Sequence, residues 1–160
     1  MRIQLTAVGT KMPAWINAGV KEYLKRMPPH CRVELKEVAA GYRGHGNGDI
    51  KRVIKAEGER LLAAVPPRFR IIALERRGKA LPTEDWAVNL ERWFQDGDEI
   101  AILVGGPEGL SSEVIVRSDE LWSLSALTMA HPIVRVVVAE QLYRAFSIVD
   151  GKPYHRGSQP

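Results

Sequence analysis

The chain has 160 residues, 45% of them hydrophobic and 26% charged, the composition of an ordinary globular domain with room for a sizeable core. No apolar run approaches the ~20 residues of a membrane-spanning helix, and Met1-Arg2-Ile3-Gln4-Leu5 opens no secretory leader. The one cysteine, Cys31, excludes an internal disulfide and sits in no zinc-like Cys/His spacing, so a cytoplasmic protein without a metal is expected.

Ile3 to Val8 alternates with period two and stops at Gly9, the pattern of a first strand. Pro13 fits the first turn of a helix whose face is Ile16, Val20, Tyr23, Leu24 and Met27, ended by Pro28-Pro29. Val33 to Val38 is a second strand. A loop with four glycines runs from Ala39 to Gly48 and carries Arg43 and His45. Asp49 caps a helix with Ile50, Val53, Ile54, Glu57, Leu61 and Val65 on one face, stopped by Pro66-Pro67. Phe69 to Leu74 is a third strand and Glu75 to Lys79 a charged turn. Thr83 caps a helix that buries Trp86, Leu90 and Trp93-Phe94 and ends at Gly97. Ile100 to Val104 is a fourth strand, 111–120 contains a short helix, and Trp122 to Ser125 is a short fifth strand. His131-Pro132 opens a last helix, Ile133 to Ile148, apolar round most of its circumference; Val134, Val136, Val137, Val138, Leu142, Tyr143 and Phe146 exceed one core-facing stripe, which predicts a covering subunit. The tail from Asp150 has no periodicity and reads as loose. Strands alternating with helices predict an α/β fold with a mainly parallel sheet flanked by helices. No repeat or domain boundary interrupts it, so one domain over 1–160, with 151–160 as its tail, is expected.

The net charge of +4 gathers in 43–55, in 68–79 and at Lys152, His155 and Arg156, which fits an anionic partner such as RNA as readily as a solvated surface. Gly105-Gly106 after the fourth strand permits close backbone approach to a ligand, although taken alone it reads more readily as a plain turn. It is neither a dinucleotide fingerprint nor a phosphate-cradling loop, because the further glycine spacing and the Gly-Lys-Ser/Thr ending are missing. Leu124 to Met129, small and apolar with interspersed hydroxyls, suits either the wall of a heterocycle pocket or the core. Glu140 and Arg144 stand at i,i+4 in the favourable order for an ion pair, and His131 in position to cap the last helix. No Ser-His-Asp set or carboxylate cluster points to a hydrolase or a metal centre.

Five segments carry a family resemblance: Ala7-Val8-Gly9-Thr10-Lys11-Met12, then 103–110 (LVGGPEGL), 122–132 (WSLSALTMAHP), 135–146 (RVVVAEQLYRAF) and Pro153-Tyr154-His155-Arg156. In this order, over essentially the whole chain, they resemble the bacterial 23S ribosomal RNA pseudouridine-N3 methyltransferases (the RlmH family) of the SPOUT class. The resemblance implies an α/β fold with a C-terminal deep trefoil knot, a feature that spacing alone never licenses. It implies a homodimer that takes S-adenosylmethionine as cofactor and a pseudouridine of the assembled ribosome as substrate. It places the cofactor at Leu74, Gly105, Gly106, Leu124, Ser125, Ala126, Leu127, Thr128 and Met129. It turns His131, Glu140, Arg144, Tyr154, His155 and Arg156 towards the substrate. His131, Glu140 and His155 are candidate bases for the N3 proton, Arg144 or Arg156 candidates for charge developing on a ring carbonyl, and Tyr154 a surface for the base to stack on. Gly157 to Pro160 are expected to be dispensable. A SPOUT methyltransferase acting on transfer RNA and a non-catalytic ribosome-binding protein of the same fold are the rival expectations.

Overall fold

A computed structural model of the chain describes residues 1–44 and 49–157. His45 of the glycine-rich loop and the last three residues lie outside the described part. The elements run β1 (Arg2–Val8), α1 (Ala14–Leu24), β2 (Arg32–Val38), α2 (Ile50–Ala64), β3 (Arg70–Ala80), α3 (Thr83–Asp96), β4 (Ile100–Val104), α4 (Ser112–Arg117), β5 (Glu120–Ser123) and α5 (His131–Val149). The five strands form one sheet in the order β2-β1-β4-β3-β5, and every pairing is parallel.

A parallel sheet must be covered on both faces. The outer layers here are α1, α3 and α5 on one side and α2 with α4 on the other. Trp86, Leu90 and Trp93 of α3 pack with Trp122 of β5; the Trp93 and Trp122 rings stack at 5.7 Å and Trp86 meets Trp122 edge-on at 5.0 Å. The alternation of β1 does not mark a wet face. Gln4 and Thr6 are buried, and the Gln4 amide donates to Thr6 Oγ1 (2.9 Å) and to the Ala64 carbonyl at the end of α2 (2.8 Å).

Several sequence expectations are corrected. The segment 75–79 is not a turn but part of β3. Trp122 of β5 pairs with both Leu74 and Lys79, so the four residues between them bulge out of the sheet. Gly78 makes the return possible: a Cβ there would stand 2.6–2.7 Å from the backbone of Leu121 and Trp122. The fifth strand starts two residues earlier than the sequence pattern indicates and ends at Ser123. Thr83 does not cap α3. Pro82 holds that position, and the Thr83 hydroxyl donates instead to Gln141 Oε1 at 2.8 Å. His131 is the first residue of α5 rather than its cap, which is Ala130. Asp49 does cap α2, its carboxylate accepting from Arg52 N, and Gly97 ends α3 in the left-handed region.

The tail is not loose over its described part. Gly151 at φ +66° reverses the chain after α5, with Lys152 N donating to Ser147 O (2.8 Å) and Gly151 N to Ile148 O (3.1 Å). This paired arrangement closes the helix end and sends Tyr154 back along α5. On α5 itself, Val138, Leu142 and Phe146 are buried, Val134, Val136, Val137 and Tyr143 half-buried, and Ile133 exposed. Among the described residues, no helix is long and apolar enough to cross a membrane.

Candidate active site

A cleft of about 340 Å³ opens at the carboxyl ends of β4 and β5 beside the bulge of β3, the end of an open parallel sheet where ligands bind. Its floor is a tight turn. Gly106 O accepts from Gly109 N at 3.0 Å, Pro107 takes the second position, and Gly109 adopts φ +86°, so proline and glycine stand where such a turn favours them. A Cβ on Gly105 would lie 2.9 Å from the Gly109 carbonyl group and 3.1 Å from Leu110 Cδ2. One on Gly106 would lie 2.8 Å from Glu57 Oε2. The turn and the binding floor are therefore one feature.

The opposite wall is the loop after β5. Ser123 Oγ donates to Ser125 O (3.2 Å) and Leu127 N donates to Ser125 Oγ (3.0 Å), so the two serines brace the loop. Leu74, Gly105, Gly106, Leu124, Ser125, Leu127, Thr128 and Met129 all line the cleft, and Ala126 faces a smaller adjoining one. Val104, Leu110 and Val134 add apolar wall and Glu75 and Arg76 polar rim; the sequence reading did not single these out, nor Glu57 and Arg135 behind the floor.

Glu57 is buried. Its Oε1 accepts from Gly41 N at 3.1 Å, while Oε2 points at Gly106 without a hydrogen-bond partner among the described residues. Its signal in the sequence was a carboxylate on the apolar face of α2. Arg135 is fully buried on α5 and reaches across to β1 and β2. Its guanidinium donates to Glu37 Oε2 (2.6 Å) and to the carbonyls of Val8 (2.9 Å) and Gly9 (2.7 Å). An arginine set among the valines at the start of the helix is the clue that would have found it.

His131 lines the cleft at the start of α5. Burial first, and then the neighbouring Arg135 cation, holds its imidazole below the usual histidine range. It is consequently neutral at pH 7, with a lone pair free to accept a proton. The sign of the linkage follows. Because the folded pKa lies below the unfolded value of 6.5, stability is fully present above that pH and is lost as pH falls through the folded pKa. His131→Gln should flatten the decline in urea midpoint between pH 7 and pH 5; an undiminished decline in the variant would assign it to other groups.

The remaining predicted polar residues form a second cluster. Glu140 Oε1 accepts from Arg144 Nε (2.9 Å) and from the Tyr154 hydroxyl (3.1 Å), and Oε2 accepts from Gln141 (2.8 Å). The Arg144 guanidinium lies over the Tyr154 ring at 4.7 Å, and His155 contacts Glu84 through Nε2 at 3.0 Å. Burial and then the bond to Glu140 raise the Tyr154 hydroxyl above its usual range, so it stays protonated. With these partners the Glu140 carboxylate orients Arg144 and Tyr154. Arg156 is exposed beside the cluster. His131 stands apart: Glu140 is nine positions further along the helix, about 13 Å along the axis, and none of the described tail residues lines the cleft of its own chain.

Residues 1–155 match the family model described as predicted SPOUT methyltransferase. The chain belongs to the SPOUT methyltransferase family. Solved structures share the fold. A probable methylase family protein from Haemophilus influenzae Rd KW20 superposes with a TM-score of 0.56 at 13% identity, over 99% of this chain and 72% of that one. A probable methyltransferase from Bordetella pertussis Tohama I gives 0.56 at 16% identity, over 89% and 95%. A parallel five-stranded sheet flanked by helices is the framework of this SPOUT methyltransferase, and the cleft lies at its carboxyl edge.

Proposed function

We propose that this SPOUT protein transfers a methyl group from S-adenosylmethionine to N3 of a pseudouridine in 23S ribosomal RNA, as the RlmH family does. In this reading 1–160 form one domain whose C-terminal part is threaded as a trefoil knot. The protein works as a cytoplasmic homodimer on the ribosome.

The observation that carries the reading is the cleft itself: a side-chain-free glycine floor at Gly105-Gly106 facing an apolar, hydroxyl-bearing loop at 124–129. Its volume is at the small end for a ligand of this size class, and the glycines let the turn pack closely enough on Gly109, Leu110 and Glu57 to form its floor. S-adenosylmethionine supplies a methyl group already activated by its sulfonium. The chain's task is to place the nucleophile in line with it and to accept one proton. Neutral His131, at the cleft wall, is the residue placed to take it. Arg144 and Arg156 offer cationic donors to a ring carbonyl, and Tyr154 an aromatic face. Because the tail cluster does not reach the cleft of its own chain, the reading requires a second copy to present its cluster there. The half-buried valines of α5, with Trp15 and Ile133 exposed beside them, are the surface on which that copy packs.

The test is transfer of labelled methyl from S-adenosylmethionine into purified ribosomes, followed by mapping of the modified nucleotide. Label at a pseudouridine N3 in 23S RNA is expected. Label entering only free transfer RNA would replace the substrate, and absence of cofactor binding by titration calorimetry would make the protein a non-catalytic binder.

A further inference from the structure

The bulge of β3 does more than interrupt the sheet. It projects Arg76 and Arg77 beside the loop that walls the cofactor cleft. Glu75, Arg76, Arg77, Ser125 and Ala126 enclose a second cleft of about 280 Å³. Glu75, Arg76 and Ser125 also line the first one, so the two share a rim.

The projection is built into the chain. Glu75 Oε2 accepts from Arg77 N at 2.6 Å, tying the bulge's tip to its base, and Gly78 lets the backbone return against Leu121 and Trp122. Arg77 Nε lies 3.7 Å from Glu75 Oε1 with its side chain almost wholly in solvent, and Arg76 makes no ion pair among the described residues. Two guanidinium groups and one carboxylate leave the small cleft with one net positive charge.

We infer that this second cleft binds a backbone phosphodiester of the substrate RNA, next to the nucleotide that enters the cofactor cleft. A phosphodiester carries the single negative charge that the cleft lacks. Arginine is suited to it because its planar fork can give two parallel hydrogen bonds to phosphate oxygens. Such a contact fixes register and carries no sequence information. Its place on the shared rim means that it sets how far the target base reaches into the first cleft. The inference rests on the reading of the protein as an RNA methyltransferase.

The experiment compares the wild type, the double variant Arg76→Gln/Arg77→Gln and a charge-matched control, Arg2→Gln/Arg32→Gln. Arg2 and Arg32 pair in register at the opposite end of the sheet. Binding to purified ribosomes is measured by sedimentation over a range of salt concentrations, S-adenosylmethionine binding by calorimetry, and methyl transfer for the wild type. The bulge variant should bind ribosomes about tenfold more weakly at low salt and show a log–log salt slope shallower by about one. The single variant Arg77→Gln, whose side chain lines only the second cleft, should leave cofactor affinity unchanged, and the control's slope should stay that of the wild type. Equal losses in bulge variant and control would reduce the effect to general charge and overturn the inference, as would an unaltered slope. A loss of cofactor affinity in that single variant instead would assign the arginines to the methionine carboxylate and overturn it too. Failure of the parent reading is separate: the wild type itself would then neither bind nor methylate ribosomes.

Discussion

Gly105→Val should lower the affinity for S-adenosylmethionine by about 100-fold, a loss of about 2.7 kcal/mol, while the far-ultraviolet circular dichroism spectrum stays that of the wild type. The new side chain does not simply intrude on the ligand. Its Cβ would already stand 2.9 Å from Gly109 C and O, and backbone cannot step aside as a long side chain can. The turn must swing away from the end of β4, and the cleft loses its floor. Residues 107–109 are exposed, so the strain is released into solvent rather than into the core, and the melting temperature should fall by only a few degrees. Calorimetry decides the matter: unchanged binding would remove this turn from the cofactor site.

Arg135→Met should destabilise the fold by about 3 kcal/mol, the low end for breaking a buried ion pair. For a chain of this size that is a drop of about 6–12 °C in melting temperature. Methionine fills much of the volume and carries no charge into the interior. The cost lies in what it abandons, namely Glu37 and the Val8 and Gly9 carbonyls. Glu37 keeps partial access to water, which is why the estimate sits at the low end. A urea-denaturation difference below about 0.5 kcal/mol would show that water replaces the guanidinium without loss. Since α5 begins at the cleft, a weakened joint there should also reduce cofactor affinity.

The elements most legible in the sequence were those dictated by local pattern. The apolar run of β4, the amphipathic faces of α2 and α3 and the Pro132 start of α5 are each readable within a few turns of chain. The bulge in β3 was not, because it depends on β5 pairing with two separated parts of the same strand, a relation of register that local composition does not encode. The tail's reversal had a signal in Asp150-Gly151, but the partner that holds the tail, Glu140, lies on the preceding helix. For the site, the cleft residues came from their resemblance to a family; glycine pairs and small-residue loops alone read more readily as turns and core. Glu57 escaped notice because it was counted as part of a hydrophobic face rather than as a charge that such a face must account for, and Arg135 because the valines on either side of it were read without it.

The strand order has a consequence for how the chain is made. Synthesised from the N-terminus, β1 finds β2 across a single helix, but its other edge stays bare until β4 emerges at Ile100. During that interval β3 appears with no partner at all, since it pairs only with β4 and β5. At about 5–20 residues per second the delay lasts several seconds, with an apolar strand edge open to any neighbouring chain. Completion comes last of all, when Arg135 closes onto residues 98 to 127 positions behind it. The protein therefore spends its nascent life as a template for mispairing, and its yield in a cell depends on what shields β1 and β3 until the final helix arrives.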